Sequence, residues 1–158
     1  MSIATFSHVS EAQYLSVLPI PGMAIGEIPL PVRAPSGSAG YDFVAPCTVT
    51  VPAGECRMIP TGIRARMDAG WVLLIFPRSS MGIRRGLRLA NTAGVIDSDY
   101  FNAENEGHII VPMYNSSREA VTIREGERFC QGIFLPYGTA DESTPQTERT
   151  GGFGSTGR

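Results

Sequence analysis

Long apolar runs are missing from this sequence, and no stretch approaches the length a membrane-spanning helix needs. The opening MSIATFSHVS has no basic flank and no extended apolar core, so no secretory signal is expected and the chain reads as intracellular, in the cytoplasm. Cysteine is scarce: Cys47, Cys56 and Cys130 form an odd set without a CxxC pair, and only His8 and His108 stand beside them. Zinc spacing is therefore absent, and three buried, reduced thiols are expected. With two histidines and no GxSxG elbow, a Ser-His-Asp triad has no support, and a Cys-His nucleophile has none locally. A GxxxxGK[ST] loop is lacking too, which excludes a Walker-type cradle. Charge is low, 18% of residues, and the net charge of −2 argues against a nucleic-acid polymer as the main partner. A small anionic ligand needs only a local basic site and stays possible.

What is present points to one globular unit. The 158 residues are 42% hydrophobic, enough for one domain with a real core. Glycine and proline punctuate short β-rich runs at Thr48 to Val51, Arg57 to Pro60, Trp71 to Phe76, Gly107 to Met113, Ala120 to Ile123 and Phe129 to Leu135. That pattern predicts an all-β fold, a compact barrel or sandwich. One short helix is expected at Ser10 to Ser16, capped by Ser10, with Glu11 in its first turn and Tyr14 and Leu15 on an apolar face. Beyond Tyr137 the chain turns rich in Gly, Thr, Ser, Glu and Pro. The spacing predicts a β domain over 1–137 and a flexible C-terminal arm over 138–158, able to extend roughly 70 Å at about 3.3 Å per residue.

Five stretches could carry chemistry. In Ser38-Ala39-Gly40-Tyr41-Asp42-Phe43 an acid sits among apolar neighbours at a strand start, where it should be paired, hydrogen-bonded or near a metal. A turn aspartate bonded to local N–H groups is the alternative. Phe76-Pro77-Arg78-Ser79-Ser80-Met81-Gly82 follows an apolar strand and offers Arg and two hydroxyls to a polyphosphate, or is a polar turn. The nearby Arg84, Arg85 and Arg88 read as a solvated or interface face. Asn91-Thr92-Ala93-Gly94-Val95-Ile96-Asp97-Ser98-Asp99-Tyr100 places two carboxylates two apart; in an extended segment Asp97 and Asp99 share a face. Carboxylates are ionised at neutral pH and can deprotonate a bound water; a turn between strands is the alternative. Glu125-Gly126-Glu127-Arg128-Phe129-Cys130-Gln131 opens a strand in which Arg128 and Cys130 face one way and Glu127, Phe129 and Gln131 the other. Gln131 among apolar neighbours needs partners. Finally, Gly151 to Arg158, GGFGSTGR, offers backbone and hydroxyl donors (Gly154, Ser155, Thr156), the charges of Arg149 and Arg158, and one ring, Phe153. That suits a nucleotide; an unstructured Gly/Ser end is the alternative.

Taken in order, SAGYDF, PRSSMG, NTAGVIDSDY, GERFCQ and GGFGSTG resemble the five motifs of the trimeric dUTPase family, the deoxyuridine triphosphate nucleotidohydrolases. The resemblance runs from Ser38 to the C-terminus. It implies the jelly-roll-like β-clip fold, a homotrimer with shared sites, and Mg²⁺-dependent hydrolysis of dUTP to dUMP and pyrophosphate. It implies that Asp97 activates the attacking water and that Gln131, Arg78, Ser79 and Ser80 meet phosphate or that water. By the same resemblance Asn91, Val95, Ile96 and Ile110 read uracil, and Tyr100 packs on deoxyribose, leaving no room for a 2′-hydroxyl. Asp42 would hold a metal-bound water. Phe153 would stack on uracil, and Arg149, Gly154, Ser155 and Thr156 would close over the nucleotide.

Two departures stand out. Arg149 is one residue nearer Phe153 than in the family pattern. After Tyr100, Phe101-Asn102-Ala103-Glu104-Asn105-Glu106 intervenes before Gly107, read as a longer hairpin loop with a solvated acidic tip. The alternatives on this fold are a dCTP deaminase, against which Val-Ile-Asp-Ser-Asp-Tyr argues, and a non-catalytic nucleotide-binding regulator. A regulatory protein partner would be sought first at Glu104 to Glu106.

Overall fold

The β-rich runs read from the sequence all form strands in the computed structural model, which describes residues 2–18, 20–34 and 37–141. They are β4 (Val49–Val51), β5 (Cys56–Pro60), β7 (Trp71–Pro77), β10 (Ile110–Asn115), β11 (Val121–Ile123) and β12 (Arg128–Pro136). Further strands are β1 (Ala4–His8), β2 (Val32–Arg33), β3 (Tyr41–Val44), β6 (Ile63–Met67), β8 (Leu87–Leu89) and β9 (Gly94–Ile96). Every ladder is antiparallel. The largest sheet runs β2-β3-β12-β7-β9; a second runs β5-β10-β8, and β1-β6 and β11-β4 make two pairs. Alternation buries Leu73 and Ile75 of β7 completely, and they join Phe43, Phe129, Ile59, Leu89 and Met113 in one core.

Helix α1 (Glu11–Val17) lies where its cap predicted it: the Ser10 hydroxyl accepts from Gln13 N–H at 3.1 Å, and Tyr14 is buried, but Leu15, expected on the same face, is exposed. A second helix, α2 (Ser79–Arg85), stands where the sequence suggests a phosphate seat or a polar turn and no helix. Its cause is Met81, whose side chain enters the core and turns the chain inward right after β7. Gly86, at φ +67°, stops it.

Three expectations are corrected. Asp97 and Asp99 do not share an extended face, because Asp97 starts a 3₁₀ turn over Ser98–Asn102 that rotates Asp99 outward. Strand alternation in β12 breaks at its start: the register with β3 shifts between Arg128 and Cys130, so Phe129 and Cys130 are both buried. Cys56 is exposed on the edge strand β5, while Cys47 and Cys130 are buried; all three are free thiols. Among the described residues no helix is long and apolar enough to cross a membrane.

Candidate active site

β3 separates its aromatic side chains from its acid. Tyr41 and Phe43 join Phe6 of β1 and Phe134 of β12 in a cluster with ring centroids 5.3–5.6 Å apart. Asp42, between them in sequence, projects to the other face. There its Oδ1 meets Arg78 Nε at 3.2 Å and its Oδ2 accepts from an Arg128 terminal amino group at 3.2 Å. The carboxylate is thus paired twice, at 9% side-chain exposure. Gln131 lies directly across the ladder from Asp42, and Phe76, two residues before Arg78, lies across from Gln131 on the other side. Arg78 N–H bonds the Phe129 carbonyl at 3.1 Å, fixing the point where the chain leaves β7 for α2 and placing Ser79 and Ser80 at the helix start. The helix is moored at its far end by Arg85, which pairs with Glu127 and bonds the Thr122 carbonyl. Asp42, Arg78 and Gln131 therefore lie together, with Ser79 and Ser80 next along the chain at the start of α2.

A second group lines a cavity of about 250 Å³. Asn91, Val95, Ile96, Tyr100 and Ile110 all face it, with Ile75 as floor. Among the described residues the segments carrying Val95 and Ile110 are not ladder partners: β9 pairs only with β7, and β8 pairs with β10 only from Met113 to Asn115. The hairpin expected here is opened into two strand edges across a gap. Main-chain donors and acceptors at such edges can read a flat polar ring. Tyr100 is 6% exposed; its hydroxyl donates to the His108 carbonyl at 3.0 Å and accepts from Asn105 Nδ2 at 2.7 Å. Asp97 follows Ile96 directly and is half-buried.

The two groups are separate in one chain. Ile96 sits opposite Leu73, and Arg78 lies five residues beyond Leu73, just past the end of β7, on the order of 15 Å away at strand rise. Arg149, Phe153, Gly154, Ser155 and Thr156 lie outside the described residues.

Burial raises the Cys47 and Cys130 thiols above their ordinary value, with Glu125 and Asp42 respectively adding to it. Both stay protonated and are poor nucleophiles. His108, which its sequence context left unremarkable, is fully buried, and burial pushes it down to about 4. Its Nε2 accepts from Gly62 N–H at 2.8 Å, so it is a neutral structural residue. Three residues were given no role at the site from sequence: Arg128, Gly40 and Asn105. A Cβ on Gly40 would lie 2.4 Å from Gln131 Oε1. The small residue before Tyr41 was visible, but its contact depends on a strand ninety residues away.

The chain is similar to known proteins in sequence and in fold. The dUTPase family model covers residues 26–157. A deoxyuridine 5′-triphosphate nucleotidohydrolase of Lactococcus lactis is 50% identical over 133 residues, 82% of this chain and 89% of the relative. One from Hahella chejuensis is 40% identical over 139 residues, covering 83% and 88%. The crystal structure of a dUTPase from Streptococcus mutans is 35% identical, with TM-score 0.70 over 87% of this chain and 98% of that one. A dUTPase of phage phi11 of S. aureus, described with a structural Mg(II) ion, shares the fold at 19% identity and TM-score 0.67, over 98% and 100%. The chain belongs to the dUTPase family.

Proposed function

We propose that this chain hydrolyses dUTP to dUMP and pyrophosphate by water attack on the α-phosphate, as a homotrimer whose copies share each site. The observation that carries this reading is the cavity: Asn91, Val95, Ile96, Tyr100 and Ile110 converge on a space of nucleoside dimensions, with Asp97 next along the chain. Its open strand edges and the Asn91 amide suit the alternating acceptors and donor of uracil. Cytosine would leave buried polar groups unpaired. The Tyr100 ring walls off the position of a ribose 2′-hydroxyl.

Asp97 takes the proton of the attacking water, and Gln131, whose amide both donates and accepts, orients that water. Arg78 uses Nε on Asp42 and keeps further guanidinium donors for phosphate oxygens, with the Ser79 and Ser80 hydroxyls beside it. The roughly 15 Å between the polar group and Asp97 favours a site in which neighbouring copies supply different parts. The β domain over 1–137 ends with β12, and the arm over 138–158, through Arg149, Phe153, Gly154, Ser155 and Thr156, closes over the substrate.

Mg²⁺ fits this donor set only in part. No group of three or more metal-ligating side chains occurs among the described residues. Magnesium commonly keeps its waters and is held by one carboxylate plus substrate phosphates. Asp42 suits that role, since each oxygen engages one arginine and retains lone pairs for a water. When bound, the ion supplies neutralisation of triphosphate charge.

The test is pyrophosphate release from dUTP, dCTP, dTTP and UTP with Mg²⁺. Turnover is expected with dUTP, and the other three should be poor substrates. Equal rates on all four would overturn the reading, and deamination of dCTP would replace it with the other enzyme of this fold.

A further inference from the structure

The acidic insert after Tyr100 is not the solvated tip its composition suggests. Glu104 is exposed, but Glu106 reaches across 96 positions to Ser10. Its carboxylate accepts from the Ser10 N–H at 2.7 Å and from the Ser10 hydroxyl at 2.6 Å. Those bonds hold the Glu106 carboxyl below its ordinary value. The same hydroxyl caps α1, so the helix start and the insert are joined at one side chain.

The insert is wound tightly against Tyr100. Glu106 and Gly107 adopt φ +60° and +71°, two consecutive left-handed residues. A Cβ on Gly107 would lie 2.7 Å from the Tyr100 carbonyl oxygen and the Phe101 Cα, so only glycine permits this approach. The Arg64 guanidinium covers the Phe101 ring at 4.1 Å. Asn105 sits inside this turn: its Oδ1 accepts from Gly107 N–H at 3.2 Å and its Nδ2 donates to the Tyr100 hydroxyl at 2.7 Å. Among these residues only Tyr100 lines the cavity.

We propose that Asn105, kept in place by the Ser10–Glu106 latch, is a positioning residue for Tyr100, and that it sets discrimination between deoxyribose and ribose nucleotides. The proposal rests on reading Tyr100 as the sugar-facing wall. A phenol held at its oxygen by one donor and one acceptor cannot slide along its plane. Released from Asn105, the ring has room to shift, and a shift of about 1 Å is enough to degrade such a fit.

The test uses the full chain and compares kcat and KM for dUTP and UTP. Asn105→Ala is expected to raise KM for dUTP about tenfold, keep kcat within about twofold, and lower the dUTP over UTP preference about tenfold, as befits one lost buried hydrogen bond. Tyr100→Phe should do the same, and the double variant should be no worse than either single one. Glu106→Gln should give a smaller shift in the same direction, about threefold, and replaces Asn105→Ala if that variant does not fold. Additive losses in the double variant, or wild-type discrimination in both Asn105→Ala and Glu106→Gln, overturn the proposal. Tyr100→Ala separates the two layers. If it leaves discrimination intact, the sugar-wall reading itself fails. If it abolishes discrimination while Asn105→Ala does not, only the positioning role fails.

Discussion

The polar group around Asp42 and the cavity beside Tyr100 are built by opposite means. The first sits on the central strands β3, β12 and β7, where ladders on both sides of β12 fix Asp42, Gln131 and Phe76 in one row. The second sits on the edge strand β9, a 3₁₀ turn and a loop. Non-glycine residues take left-handed conformations at Thr92 and Glu106, close to either end of the segment that carries Val95, Ile96 and Tyr100. Such backbone persists only where the surroundings enforce it. Under the proposed function the polar group seats phosphate, which tolerates rigid strands because it is charged and symmetric. Under the same proposal the cavity tells uracil from cytosine, which calls for strand edges with free main-chain donors and acceptors that a closed ladder cannot provide.

Asp97→Asn breaks the comparison most severely. Turnover of dUTP should fall about a thousandfold, the scale of a lost general base, while dUTP still binds. Wild-type-like turnover would remove Asp97 from that role. Arg78→Ala should lower kcat/KM by about a hundredfold or more, since it removes phosphate donors and leaves Asp42 with Arg128 alone. The two variants together test whether the halves come from different copies. Co-refolded at equal amounts, random mixing in a symmetric trimer would restore about a quarter of the sites. No recovery over the separate variants means that one chain supplies both halves.

The polar half was legible in the sequence and the cavity half was legible only in outline. Asp42 among apolar neighbours called for a partner, a metal or a local turn, and strand alternation decided among these by aiming it at Arg78 and Arg128. The run from Trp71 to Phe76 likewise announced β7. Residues 91–100 showed which side chains matter but not their backbone, since a 3₁₀ turn after Ile96 leaves no periodic trace. β1 was missed because ATFSH has only one strong apolar position, Phe6, whose partners come from β3 and β12. The latch between Ser10 and Glu106 was invisible for the same reason: nothing near either residue specifies a partner 96 positions away.

His108, whose carbonyl accepts from the Tyr100 hydroxyl, lies behind the cavity wall and gives that half a sensitivity to acid. Its folded value is about 4, below the ordinary 6.5, because burial opposes the charged ring. Between those values the unfolded chain binds the proton and the folded chain does not. Stability is therefore full above pH 6.5 and falls as pH drops toward 4, by about 3 kcal/mol in all at 1.36 kcal/mol per unit. Urea midpoints measured from pH 7.5 to 4 should show this slope, and His108→Gln should flatten it. The contribution of Glu106 belongs to a lower window, since its depressed value means that its latch is lost only below the ordinary carboxylate range.

The smallest expected effect falls on the rigid half and tests why it lacks a side chain at one point. Gly40 does not have a left-handed backbone, so alanine fits its conformation. The atom it would strike is Gln131 Oε1, at 2.4 Å, the far end of a side chain that can rotate away. Gly40→Ala should therefore leave stability within about 0.5 kcal/mol. Displacing the Gln131 amide should still lower kcat about tenfold, with KM for dUTP little changed, because water is no longer held in line. Gln131→Ala added to Gly40→Ala should then cost less than Gln131→Ala alone, the two acting through one group. Wild-type kcat in Gly40→Ala would mean that the ladder, rather than the position of this amide, is what the rigid half supplies. The two halves would then differ in construction but not in how finely they hold their working groups.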